Sequence, residues 1–171
     1  MGLIRMSAPM HPIYVHFTIA LTTASAVFDA LGFFFGAASL RGAGWWTLAG
    51  SIIMTLLTLS SGLASRMRLP MEEGEARSFL RAHMALGPIF YGLLIAVGFW
   101  RISLWQAGQA VSWLYLAAMG AVLLVMLVQG YLGGELVYRY GAEVEGSFRK
   151  LPDIAPLHKS SQASSSASEM E

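Results

Sequence analysis

The chain contains no cysteine and few charged residues. Its 171 residues carry a net charge of +1, and only 12% of them are Asp, Glu, Lys or Arg, where a soluble domain has about a quarter. The absence of cysteine excludes disulfides, thiolate metal sites and iron–sulfur clusters. The small net charge gives no support for a nucleic-acid partner. This scarcity of charge favours a protein whose main partner is a lipid bilayer.

Hydrophobic residues make up 56% of the chain, and the mean hydropathy is +0.57. A membrane-spanning helix needs about 17–25 mostly apolar residues. Gly42 and Gly44, a charged loop over 66–74, and the pair Ala107–Gly108 separate such stretches. The sequence therefore predicts an all-α fold, a four-span up-down helical bundle with both termini on the same side, whose spans are 12–36, 45–64, 79–100 and 111–137.

The ends of the chain differ in character from this transmembrane domain of residues 1–141. We expect a juxtamembrane segment over 142–159 and a disordered, serine-rich tail over 160–171. The small residues at 24–26 resemble a signal-peptide cleavage site, but the apolar run continues to Phe35. The first segment is therefore interpreted as a retained helix.

Basic residues are distributed unequally between the two sides of this predicted bundle. Arg41 and Arg101 fall on one side, and the other nine fall on the side that holds both termini. Short loops rich in Lys and Arg stay in the cytoplasm. The sequence therefore predicts a multi-pass protein of the inner (cytoplasmic) membrane with both termini in the cytoplasm.

Three histidines lie near the starts of the first and third spans. His16 and His83 each lie about 6 Å into their helix, and the two helices are diagonal in such a bundle, roughly 12–14 Å apart. That gap suits haem b with His16 and His83 as axial ligands and the small residue Gly87 one turn below. His11 is about 140° around the helix from His16, so we expect it to cap the helix or bind a propionate.

Other polar residues admit more than one interpretation. Arg81 and Arg139 could hold haem propionates, although Arg139 also stands one turn after Glu135. Asp29, near the opposite surface, could be a functional intramembrane carboxylate or could pair with Arg41. The histidines could equally be interfacial residues bonded to carbonyls or water. A minor alternative is a copper site formed by histidines with methionines at the same face, namely Met6, Met10, Met67, Met71 and Met84.

Two motifs resemble those of a bacterial membrane family catalogued as domain of unknown function 2231. "HPIYVHFTIAL" begins the first span and "GYLGGELVYRYGAEV" ends the last, and the resemblance covers about residues 10–145. The family is similar to four-helix b-type cytochromes, which implies electron transfer. This chain departs from the pattern at Tyr140, where members often have histidine, and near Ser65, where they often have an acidic residue. The matching residues are His11, Pro12, Val15, His16, Phe17, His83, Gly130, Leu132, Gly133, Gly134, Leu136, Val137, Tyr138 and Gly141.

The resulting functional prediction is a membrane b-type cytochrome or haem-carrying electron-transfer subunit, with one haem between the first and third helices. Other membrane or redox subunits are its expected partners. The alternative is a non-catalytic accessory subunit of a larger membrane complex. In that case the polar face at the histidines packs against a neighbouring subunit.

Overall fold

The structure, a computed structural model, describes residues 10–67 and 75–141. These residues form four helices, each long and apolar enough to cross a membrane, and no strand is found among them. The predicted all-α, four-span fold is confirmed. The helices are α1 (Met10–Phe35), α2 (Ala38–Arg66), α3 (Glu75–Gln106) and α4 (Trp113–Tyr138).

The helix boundaries differ most from the predicted ones at the start of α2, and α3 also extends four residues further at its start and six at its end. Gly42 and Gly44 do not interrupt the chain, because α2 already begins at Ala38. The turn is instead made by Gly36 and Ala37, and Gly36 has a φ of 67° that an L side chain rarely adopts. Gly108, with a φ of 64°, marks the predicted break between α3 and α4.

The four helices form a ring in which sequence neighbours pack together. α1 packs most extensively on α2 and α3 on α4, while α2–α3 and α1–α4 contacts close the ring. Within the described ranges, the α1 and α3 backbones do not approach closely, so these helices are diagonal as predicted. We call the end where α1 and α3 begin the histidine end, and the opposite end the aspartate end. The last residues of α4 also lie at the histidine end.

The interior is polar on one side of the bundle and apolar on the other. α1 and α2 approach closely because most of their buried residues are small. Hydrogen bonds between side chains also join the two helices: Thr22 bonds Ser51, and Thr18 bonds Thr58 at 2.9 Å. The core between α3 and α4 is built from larger apolar side chains. The buried core residues are Leu48, Phe90, Leu94, Val97, Val111, Tyr115, Met119, Val122 and Met126.

Large apolar side chains cover the outside of the bundle. Phe34, Trp46, Phe99 and Leu124 are each more than half exposed. In water such a surface would be unfavourable, whereas in a bilayer it contacts lipid chains. The arrangement therefore agrees with the predicted membrane environment.

Candidate functional site

His11 faces the interior at the histidine end. It is half-buried, and its Nδ1 lies 3.0 Å from the Thr58 carbonyl oxygen and 3.2 Å from Ser61 Oγ on α2. A carbonyl oxygen only accepts hydrogen bonds, so the contact with Thr58 requires a proton on Nδ1. Nε2 is then left with a lone pair, which is the arrangement of a metal-ligating imidazole.

His83 lies at the histidine end of α3, as the ninth residue of that helix. It is half-buried and contacts Gln129 of α4. The Gln129 amide donates to the His83 carbonyl oxygen at 3.1 Å and lies 3.4 Å from His83 Nε2. His83 lies at the same end of the bundle as His11, on the helix diagonal to α1. The structure therefore brings His11 and His83 to one end of the interior.

Each of these two imidazoles lies against a glycine of the neighbouring helix. A Cβ added to Gly62 would lie 2.9 Å from His11 Cε1, and one added to Gly133 would lie 3.1 Å from His83 Cε1. Such separations are too short for ordinary carbon contacts, so side chains at these positions would displace the imidazoles. The two glycines provide the space that the histidines need.

Buried polar atoms without a hydrogen-bond partner gather at this same end. Among the residues that the structure describes they include His83 Nδ1 and Gln129 Oε1. Tyr140 follows α4 and packs its ring against Phe79 at the start of α3, with ring centroids 5.7 Å apart. Buried polar groups are nearly always satisfied in folded proteins. Unsatisfied atoms next to paired imidazoles are typical of a site that binds a further group.

His16, the predicted partner of His83, is not brought together with it. His16 is exposed, and its Nδ1 lies 2.6 Å from the Pro12 carbonyl oxygen of its own helix. The buried face of α1 contains Thr18, from which His11 is about 20° around the helix and His16 about 160°. The two histidines therefore point in different directions, as predicted. His11 faces the interior and His16 is exposed, which is the reverse of the predicted arrangement.

The remaining predicted site residues have other surroundings. Gly87 is buried, but the space beside it is occupied by Leu59 and Gln129, at 3.0 and 3.4 Å from where its Cβ would be. Arg81 is exposed. Arg139 forms the predicted ion pair with Glu135 at 3.6 Å and a further one with Glu75 at 3.3 Å. Of the methionines considered for copper, Met6 and Met71 lie outside the described residues.

The aspartate end holds a buried charge cluster that the sequence analysis missed. Asp29 does not pair with the Arg41 side chain. Arg101 of α3 donates to its carboxylate from Nε at 3.1 Å and from Nη2 at 2.9 Å. The Tyr115 hydroxyl donates to Asp29 Oδ2 at 2.8 Å, and Arg101 Nη2 also donates to the Arg41 carbonyl at 2.7 Å.

This cluster joins all four helices through groups that are almost fully buried. Asp29 and Tyr115 are 0% exposed and Arg101 is 1% exposed. The sequence did contain a signal for this cluster. Arg101 is a single arginine near the aspartate end of the apolar helix α3, and Asp29 is the only acidic residue of α1. A buried charge in a membrane requires a partner of the opposite sign. The cluster lies at the opposite end of the bundle from the histidines, so it belongs to a separate part of the molecule.

Comparison with known proteins adds one finding. No curated protein and no solved structure matches the chain. A family described as predicted membrane proteins, DUF2231, matches residues 7–146, which include all four helices. The chain therefore belongs to the DUF2231 family of predicted membrane proteins.

Proposed function

We propose that this protein is a haem-carrying electron-transfer subunit of the membrane, with one haem b held at the histidine end. The observation that supports the proposal is that two half-buried imidazoles, His11 and His83, lie at the same end as buried polar atoms without a hydrogen-bond partner. His83 is one axial ligand, and a histidine of α1 is the other. Haem b supplies reversible one-electron chemistry, whose potential depends on its axial ligands and on the polarity around it.

The residues at the histidine end are compatible with this group. Imidazole nitrogens are common haem ligands, and the donor set contains no cysteine that would direct the site to zinc or iron–sulfur chemistry. Gly62 and Gly133 place no side chain against the two imidazoles. Arg81 is exposed at the same end and is the candidate partner for a propionate, because Arg139 is already paired with two glutamates.

The charge distribution supports an orientation for this subunit. Nine of the eleven basic residues fall at the histidine end or in the segments that adjoin it, and Arg41 and Arg101 are at the aspartate end. By the positive-inside tendency, the histidine end faces the cytoplasm and the protein resides in the inner membrane. Electrons would then pass between the cytoplasmic half of the membrane and a partner redox subunit.

The absorption spectrum of the purified protein tests the proposal. Wild-type protein from haem-replete cells should give a reduced-minus-oxidised spectrum of the b type, with about one haem per chain by pyridine haemochrome assay. His83→Ala should lose the low-spin spectrum and remain folded by size exclusion. His158→Ala, in the juxtamembrane segment 142–159, is the matched control and should keep the spectrum. Wild-type protein without haem absorbance would overturn the proposal.

A second candidate is a non-catalytic accessory subunit, and exposed His16 is the observation that favours it. His16 lies six residues into α1 from Met10, about 9 Å along the helix. An imidazole exposed to lipid at that depth is unfavourable, so a neighbouring subunit would cover it. This candidate would be supported if the purified protein is colourless and copurifies with one membrane partner in a fixed ratio. The His16→Leu variant should then no longer copurify with that partner.

A further inference from the structure

The buried residues of α1 recur in α3 at a constant distance along the chain. Four of the five residues that α1 buries have a buried counterpart in α3, 72 positions later. The pairs are Thr18 and Phe90, Thr22 and Leu94, Ser25 and Val97, and Asp29 and Arg101. The two helices therefore present the same register to the interior although their buried side chains differ in chemistry.

α2 and α4 show the same relation at a spacing of 71 positions. All four residues that α2 buries have a buried counterpart in α4. The pairs are Gly44 and Tyr115, Leu48 and Met119, Ser51 and Val122, and Thr55 and Met126. The hairpin α1–α2 and the hairpin α3–α4 are thus two copies of one structural unit. α1 and α3 run in the same direction, so the axis that relates the copies runs along the bundle, as in transporters with parallel repeats.

The same spacings relate the two histidines and their glycines. His83 follows His11 by 72 positions, and Gly133 follows Gly62 by 71. The contact of His11 with Gly62 is therefore repeated by the contact of His83 with Gly133. His16 does not share this relation, because the position 72 residues after it is Pro88. Only His11 stands in the copy of the position that His83 occupies.

From this internal duplication we infer that His11, and not His16, is the second axial ligand, so that the haem of the proposed function lies on the pseudo-twofold axis between equivalent imidazoles. The inference rests on that proposed function and names its ligand pair. Thr58 and Ser61 fix the ring of His11 through Nδ1, which leaves Nε2 for iron. Equivalent positions on diagonal helices would allow the two imidazoles to hold one group between them.

Two substitutions five residues apart on the same helix test the inference. His11→Ala should abolish the six-coordinate low-spin spectrum and the bis-imidazole electron paramagnetic resonance signal, as His83→Ala does. His16→Ala is the matched control and should leave both signals and the haem content unchanged. Adding free imidazole to His11→Ala should restore the low-spin signal, because it occupies the volume that the side chain vacated.

Further measurements keep ligand loss separate from misfolding and from failure of the proposed function. His11→Gln retains a hydrogen-bond donor for the Thr58 carbonyl, and it should bind haem without the bis-imidazole signal. If the wild-type protein contains haem and His16→Ala removes the signal while His11→Ala keeps it, the inference is wrong and the proposed function stands. Retention of the signal in both variants would also refute the inference. A haem-free wild-type protein would refute both.

Discussion

Asp29 is the residue at which we expect a substitution to lower the stability of the fold most clearly. Its carboxylate accepts hydrogen bonds from Arg101 and Tyr115, and none of the three side chains is more than 1% exposed. Removing one member of a buried ion pair leaves the other charge uncompensated and costs about 3–5 kcal/mol. The pair therefore holds α1 and α3 together at the aspartate end only while both charges are present.

We expect Asp29→Asn to lower the free energy of unfolding by about 3 kcal/mol or more, because Arg101 stays buried without its counter-charge. Tyr115→Phe removes a single hydrogen bond to the carboxylate and should cost less, about 2 kcal/mol. Denaturant unfolding in detergent measures both effects. If the wild-type protein holds the proposed haem, haem content per folded molecule should stay near the wild-type level in both variants. A folded Asp29→Asn protein that has lost the haem of the wild type would show that this cluster acts on the histidine end.

At the scale of the helix, α2 depends on glycine where it meets α1. A Cβ added at Gly44 would overlap the Asp29 carboxylate and lie 2.8 Å from its Cγ. That carboxylate cannot swing away, since Arg101 and Tyr115 hold both of its oxygens. The close approach of α1 to α2 at the aspartate end therefore requires the absence of a side chain at position 44.

Gly44→Ala should consequently lower the melting temperature in detergent, whereas Gly120→Ala should not. Gly120 lies in α4 with nothing within 4 Å of its added Cβ, so only the higher helix propensity of alanine acts there, worth up to about 1 kcal/mol. Thermal unfolding of the two variants beside the wild type makes the comparison. Equal melting temperatures for both variants would mean that α2 can shift away from Asp29 without loss.

At the scale of the whole molecule, the distribution of basic residues predicts the orientation in the membrane. We expect a reporter fused after Lys159 to be active in the cytoplasm. A reporter inserted after Gly108, in the turn between α3 and α4 at the aspartate end, should be active only when exported. Removing residues 160–171 should leave membrane assembly unchanged and serves as the control for fusions at this end. Cytoplasmic activity of the reporter inserted after Gly108 would mean that the orientation is the reverse of the predicted one.

The sequence by itself determined the number of spans, the helical class and the diagonal placement of α1 and α3. These properties depend on hydrophobic length and on short connections, which are both local. The ion pair between Glu135 and Arg139 could also be predicted, because residues four apart on one helix are neighbours in any fold. The start of α2 was misjudged because Gly42 and Gly44 interrupt helices in isolation but permit close packing here.

Only the tertiary structure decided which polar residues meet across helices. The rotation of α1 about its axis is set by the packing of its small and hydroxyl side chains on α2. This rotation turns His11 toward the interior and leaves His16 exposed. Asp29 selects Arg101, 72 residues away, over nearby Arg41 because the diagonal partner reaches the same buried point from the opposite side. Such pairings depend on helix rotation, which hydrophobicity constrains weakly in a bilayer since lipid and protein interior are similarly apolar.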